Sequence, residues 1–154
     1  MVKGVGGGKI KALLQRVSRA EVRVAGNVVG NISAGALVML GCETQDEAQM
    51  SVKMAEKILG FRMFEDEEGK TNLNVVQVGG ALLVVSQFTL VADTCKGRRP
   101  SFDGALAPAE ARLRVSELCE CLREAGIVVA EGEFGEKMEV ELVNQGPATY
   151  LIQL

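Results

Sequence analysis

The sequence predicts a mixed α/β domain in which two helices pack on a largely antiparallel sheet system. Runs of branched apolar residues punctuated by glycine turns recur along the chain, and two segments instead place apolar residues at helical spacing. Their order is strands, helix, strands, helix, strands, which is the signature of a layered α/β domain. At 154 residues the chain lies in the one-domain range and buries roughly 70% of the surface that its unfolded form exposes. Residues 10–154 are expected to make that domain. Residues 1–9, MVKGVGGGK, are glycine-rich and aperiodic and read as a flexible arm. Gly4 to Lys9 resembles part of a phosphate loop, but the spacing is wrong, no Ser or Thr follows Lys9, and no strand precedes it.

The first β-rich text is IKALLQRVSRAEVRV from Ile10, followed by a turn signal at Gly26-Asn27 and then VVGNISAGALVMLGC. A hairpin and a more buried strand over Ala36 to Gly41 are predicted, with a second turn at Ala34-Gly35. Thr44 or Asp46 is placed to cap a helix running to about Leu59, with Ala48, Val52, Ala55 and Leu59 on one face and Gly60 ending it. A short strand over Phe61 to Phe64 leads into the acidic run Glu65-Asp66-Glu67-Glu68-Gly69. That run lacks the alternating oxygen ligands of a calcium loop and reads as a hairpin tip. Ala81 to Ser86 is continuously apolar, as in a strand buried on both faces. The second helix opens at Ala107-Pro108, takes Leu113, Leu118, Cys121 and Leu122 as its apolar side, and stops at Gly126. Strands over Ile127 to Ala130 and about Met138 to Leu142 follow. A turn at Gln145-Gly146-Pro147 then precedes a last strand over Ala148 to Leu154.

Composition narrows the chemistry. There is no histidine, so Ser-His-Asp and Cys-His nucleophiles, His-containing zinc sites and the usual near-neutral general base are excluded. A net charge of −3 argues against a globally basic nucleic-acid binder while leaving room for a local basic patch. Cys42, Cys95, Cys119 and Cys121 form no CxxC pair. Cys119 and Cys121 point about 200° apart on a helix, so the thiols read as reduced structural groups and not as metal ligands. With no signal-like segment and no apolar run of roughly 20 residues, a soluble cytoplasmic protein without membrane contact is expected.

Three polar stretches interrupt apolar surroundings. Ser86-Gln87-Phe88-Thr89 follows the buried strand directly, where backbone N–H groups leave the ladder and become available to an oxyanion. The same residues would serve an ordinary strand end with a Ser/Thr turn. Lys96-Gly97-Arg98-Arg99-Pro100-Ser101-Phe102 is the one concentrated cationic feature. Arginine beside an aromatic ring suits phosphate contact and base stacking, which makes RNA the partner to test. Asn144-Gln145-Gly146-Pro147-Ala148-Thr149 is suited to a tight turn, with either peptide isomer open at Gly146-Pro147. Between Glu131 and Glu141 stand five glutamates and one lysine. Glu139 and Glu141 share a strand face and could form an acid pair, although a solvent-facing edge accounts for them as well.

Together with Ala12 to Val17, Phe61-Arg62-Met63-Phe64 and Lys70-Thr71-Asn72-Leu73-Asn74, these segments closely resemble the D-aminoacyl-tRNA deacylase family, also called D-tyrosyl-tRNA deacylase. The likeness in order and spacing covers essentially residues 10–154. It implies a layered β/β/α fold and a homodimer with active sites at the subunit interface. The implied reaction is hydrolysis of D-Tyr-tRNA and other D-aminoacyl-tRNAs, and of mischarged Gly-tRNA(Ala). In the resemblance, Ser86, Gln87, Phe88 and Thr89 form the reaction centre. Gly146 and Pro147 enter from the other subunit as a chiral filter with a cis peptide. Its carbonyls exclude an L side chain and leave a D side chain pointing outward, so rejection supplies specificity. The rival reading within the resemblance is a relative with a trans Gly-Pro that accepts L-alanyl esters, and the isomer at Gly146-Pro147 decides between the two.

Arg16 matches the arginine that holds the Gly-Pro loop. Phe134 and Met138 match residues around the terminal adenine, and Lys96, Arg98 and Arg99 are expected to contact tRNA. No metal or organic cofactor is implied. Ala148 in place of the usual valine, Arg98 in the basic loop and the nine-residue arm depart from the family pattern.

An aminoacyl ester is already activated, so positioned water and backbone oxyanion donors suffice. Two mechanisms fit. Thr89 attacks the ester, or the amide of Phe88 or Thr89 holds the oxyanion while the 2′-hydroxyl of the tRNA helps activate water; the resemblance favours the second. The competing non-enzyme reading is a dimeric tRNA-end binding module that uses Lys96, Arg98 and Arg99 without turnover, with DNA not expected as a partner.

Overall fold

The computed structural model of the protein describes residues 10–44 and 47–154. The expected arm over residues 1–9 and the expected cap at Asp46 lie outside the described residues. The first strand, β1 (Lys11–Val24), is long enough for its two halves to serve different layers. Ala12 and Leu14 enter one core, whereas Val17, Ala20 and Val22 enter another. The exchange happens where the pairing of β1 with the last strand, β8 (Glu139–Gln153), shifts register on both sides of Val17. Such bulges bend a strand and re-aim its side chains.

Along its other edge, β1 pairs antiparallel with β2 (Asn27–Ile32) through its second half and with β3 (Gly35–Gly41) through its first. β3 lies parallel to β6 (Ala81–Ser86), and β6 parallel to β7 (Val129–Glu131), giving the order β2-β1-β3-β6-β7 with β8 beside β1. The sheet curls until β2 reaches β7. A Cβ at Gly30 would stand 2.3 Å from the Glu131 carbonyl oxygen. The interior of this near-barrel is filled by Val17, Val22, Leu37, Leu83 and Val85. On the outer face, α1 (Ala48–Gly60) and α2 (Pro108–Glu124) contribute Met54, Ile58, Leu118 and Leu122 against Leu14, Val38, Leu82 and Val84. β6 is therefore buried on both faces, which is why its sequence does not alternate.

The predicted α/β class with two main helices and a mixed, largely antiparallel sheet is observed. Several local expectations are corrected. The first hairpin turn centres on Ala25 and Gly26, with φ of 49° and 81°, one residue earlier than expected. A two-residue loop that matches strand twist needs positive φ at both central positions. Helix α1 buries Ser51, Met54, Ala55 and Ile58, not the face through Ala48 and Val52, because α2 packs along that stripe and the Arg114 carbonyl accepts from Ser51 Oγ at 3.1 Å. In α2 the buried set is Val115, Leu118, Cys119 and Leu122, while Leu113 is exposed. Thr44 does not cap α1; its N–H donates to the Gly104 carbonyl at 2.9 Å.

The strand expected over Phe61 to Phe64 shrinks to β4 (Phe64–Glu65), paired with β5 (Thr71–Leu73), while Phe61 packs edge-to-face on Tyr150. At the tip between them, the Asp66 carboxylate accepts from the N–H groups of Glu68 and Lys70. The strand expected over Ile127 to Ala130 is β7, and the two expected closing strands are one, because β8 runs unbroken through Gln145-Gly146-Pro147.

Candidate active site

The ladder of β6 ends at Ser86. The Gln87 N–H still reaches the Leu40 carbonyl at 2.8 Å, and the chain then folds into a single 3-10 turn over Phe88–Val91. Within it, Leu90 N–H donates to the Gln87 carbonyl and Ala92 N–H to that of Thr89. The amides of Phe88 and Thr89 head the turn, where no preceding turn supplies them with carbonyl partners. The Thr89 hydroxyl oxygen accepts a hydrogen bond from the side-chain amide of Gln87.

Ser86, Gln87 and Phe88 form one wall of a cavity of about 390 Å³, within the range of small-molecule sites. Leu40 and Cys42 at the end of β3, Phe102, Phe134, and Ala107, Pro108 and Ala111 at the start of α2 are among the residues that form the rest. The polar groups are therefore concentrated on one side of an apolar space. Phe88 is 59% exposed and meets Phe102 edge-to-face at 5.1 Å, so two aromatic rings stand at the rim. Met138 is not among the lining residues. It packs against the inner core, and its Sδ accepts from the Glu133 N–H at 3.4 Å, bracing the turn that carries Phe134.

Lys96, Arg98 and Arg99 are all exposed, on a loop pinched shut by paired backbone hydrogen bonds between Asp93 and Ser101 at 2.7 and 2.9 Å. The Asp93 carboxylate accepts from the Cys95 N–H at 2.9 Å, which with the thiol contact holds it below the usual carboxylate range and pushes the Cys95 thiol up. Burial, with Glu131 alongside, pushes the Cys119 thiol up to about 12. These are poor conditions for a thiolate nucleophile. Glu141 is held below its ordinary range by Arg23 and Arg19, at 2.9 and 3.2 Å, so it is ion-paired and forms no acid pair with Glu139.

Arg16 is 8% exposed and donates to the carbonyls of Met63 at 3.0 Å and Gln145 at 3.1 Å. Asn144 completes the bracket, since its side-chain amide donates to the carbonyls of Arg16 and Ala148. The segment so held contains Gly146-Pro147, which is exposed and joined by a cis peptide. Arg16 and Gln145 line a separate recess that shares no residue with the first cavity. Within one chain, then, Ser86, Gln87, Phe88 and Phe134 come together, Arg16 joins the Gly-Pro segment, and the two groups stay apart.

The family model described as D-Tyr-tRNA(Tyr) deacylase matches residues 13–153. The chain belongs to the D-Tyr-tRNA(Tyr) deacylase family. A D-aminoacyl-tRNA deacylase of Serratia proteamaculans is 54% identical over 144 residues, and one of Shewanella frigidimarina 51% identical over 143, each match covering 93% of this chain and 99% of the relative. Among solved structures, a c-Myc DNA Unwinding Element Binding Protein superposes with a TM-score of 0.86 at 36% identity, covering 92% of this chain and 97% of its own. A probable eukaryotic D-amino acid tRNA deacylase shares the fold at a TM-score of 0.83 and 16% identity, covering 95% and 100%.

Two residues that brace these groups escape sequence reasoning. Asn144 belongs to the polar stretch Asn144 to Thr149, but nothing in the sequence marks its bonds to the Arg16 and Ala148 carbonyls. Arg112, whose guanidinium carbon sits 5.0 Å from the centre of the Phe134 ring, left no signal, because nothing local in the sequence joins α2 to a turn some twenty residues on. Among the described residues no helix is long and apolar enough to cross a membrane.

Proposed function

We propose that this protein hydrolyses the ester between a D-amino acid, or glycine, and the terminal adenosine of tRNA, taking D-Tyr-tRNA, other D-aminoacyl-tRNAs and mischarged Gly-tRNA(Ala). The observation that carries the reading is the apolar cavity closed on one side by Ser86, Gln87 and Phe88, in a chain of the deacylase family. The ester carbonyl meets the amides of Phe88 and Thr89, which face a developing oxyanion without needing imidazole. Water adds to the carbonyl carbon. The tetrahedral oxyanion collapses with cleavage of the bond to the ribose 3′-oxygen, and the proton lost by water passes through the neighbouring 2′-hydroxyl to that oxygen. Phe134 provides a wall for the adenine, and Lys96, Arg98 and Arg99 hold phosphates.

The separation of Arg16, Gly146 and Pro147 from the cavity supports a site completed by a second copy of the chain. In this homodimer the Gly-Pro carbonyls of one subunit bar an L side chain at the cavity of the other. β8 pairs only with β1 among the described residues, which leaves its outer edge open to a second copy.

The test is incubation with matched D-Tyr-tRNA and L-Tyr-tRNA. Release of tyrosine from the D ester alone is expected; binding of both esters without release would overturn the proposal. The name of the c-Myc element binding relative favours a second reading, a nucleic-acid-binding module without turnover. Under that reading, duplex DNA would compete with tRNA and neither ester would be cleaved.

A further inference from the structure

Phe134 sits on a turn whose backbone is fastened at three points. Gly132 N–H donates to the Val84 carbonyl at 2.9 Å, Glu133 N–H to Met138 Sδ, and Glu136 N–H to the Glu133 carbonyl. The backbone is fixed, but the half-buried ring at the cavity edge retains the freedom of its own side-chain torsions. Arg112 supplies the missing restraint. It lies on α2 next to Ala111, a cavity-lining residue, and places its guanidinium over the ring at 5.0 Å from the centroid. It forms no ion pair among the described residues, whereas Arg114, half a turn on, is committed to Glu117 at 3.0 Å. A cation over an aromatic face is attracted by the ring quadrupole, and a planar guanidinium stacks there better than an ammonium.

We propose that Arg112 is a positioning residue, which holds the Phe134 ring as a preformed platform for the purine of the terminal nucleotide. This rests on reading the cavity as the adenosine end of a deacylase site. A restrained platform spares the complex the ordering of a loose ring, so the effect falls on affinity and not on the chemical step.

The test is a double-mutant cycle of Arg112→Ala and Phe134→Leu with Arg112→Lys alongside, after thermal melts have established that each variant folds. The readouts are KM and kcat on D-Tyr-tRNA and the Kd of adenosine 5′-monophosphate. Arg112→Ala is expected to raise KM and the nucleotide Kd about two- to fivefold with kcat unchanged, the size of an exposed cation–π contact. Arg112→Lys should keep most of the affinity, and Arg112→Ala should add nothing once Phe134 is Leu. The proposal is overturned if Arg112→Ala weakens binding equally with either residue at 134, if kcat falls instead of KM rising, or if the loss vanishes in high salt as a phosphate contact would. Absence of hydrolysis with the nucleotide cycle still coupled would remove the proposed reaction and retain the role of Arg112. Absence of coupling in both readouts would remove Arg112.

Discussion

Thr89 stands at the head of the 3-10 turn with its oxygen accepting a hydrogen bond from Gln87. A hydroxyl about to attack must lose its proton to a base, and this chain has no histidine to receive it. Thr89→Ala is therefore expected to keep single-turnover deacylation within about tenfold of the parent, whereas a loss beyond roughly a thousandfold would restore the threonine as nucleophile. Arg16 is the opposite kind of residue, buried and satisfied. Removing its guanidinium leaves the Met63 and Gln145 carbonyls without their donor and frees the segment around Gly146-Pro147. Arg16→Met should lower unfolding stability by about 2–3 kcal/mol in urea titrations and, under the proposed Gly-Pro filter, should admit L-Tyr-tRNA; unchanged discrimination against the L ester would separate Arg16 from that proposed filter.

Elements were most legible where one face decides a pattern. The apolar run over Ala81 to Ser86 announced a strand buried twice, and Pro108 with Gly126 bracketed α2 correctly. The helix faces were not legible, since Val52 and Leu113 are apolar at helical spacing yet exposed, and which stripe is buried depends on where the other helix lies. Nor was the crossing of β1 between two cores, because a bulge is a property of two paired strands and β8 is over a hundred residues away. The candidate site follows the same rule: the polar strand end at Ser86 to Phe88, which lines the cavity, is legible in the sequence, but the placement of Arg112 over Phe134 requires the tertiary fold.

Closure of the sheet rests on Gly30. Its backbone tolerates any residue, so Gly30→Ala tests space and not conformation: the added Cβ would meet the Glu131 carbonyl at 2.3 Å and Leu83 Cδ1 at 3.3 Å, and a loss of about 2 kcal/mol or more is expected, in the range of overpacked sites. On the outer side of β1 and β8, Arg23 and Arg19 lower Glu141 from its ordinary value of 4.5. A group lowered by folding stabilises above its unfolded value, and the effect is lost as pH falls through the folded one. Glu141→Gln should thus be less stable than the parent at pH 7 and equal to it in acid where Glu141 is protonated. Thermal melts across pH check this, and 0.5 M salt should shrink the gap.

For the whole molecule, a net charge of −3 means that attraction to tRNA must be concentrated where the cations are. Replacing Lys96, Arg98 and Arg99 by Gln should flatten the dependence of log Kd on log salt by about 2, at roughly 0.7 per phosphate contact to a single strand. Phosphate contacts carry no information about the amino acid, so the loss should be the same for D and L esters. The assembly can be tested by mixing subunits. A chain whose cavity is blocked, Ala111→Trp, keeps a normal Gly-Pro segment; a chain carrying Gly146→Ala and Pro147→Ala keeps a normal cavity and should cleave L-Tyr-tRNA. If the filter acts across the interface, an excess of the blocked chain converts the open-filter homodimers into mixed dimers, in which each working cavity faces an intact Gly-Pro segment. Cleavage of L-Tyr-tRNA per working cavity should then fall toward that of the parent while cleavage of D-Tyr-tRNA persists. If each chain filters its own cavity, adding the blocked chain leaves L-ester cleavage untouched, and the separation of Gly146-Pro147 from the cavity within one chain would need another explanation.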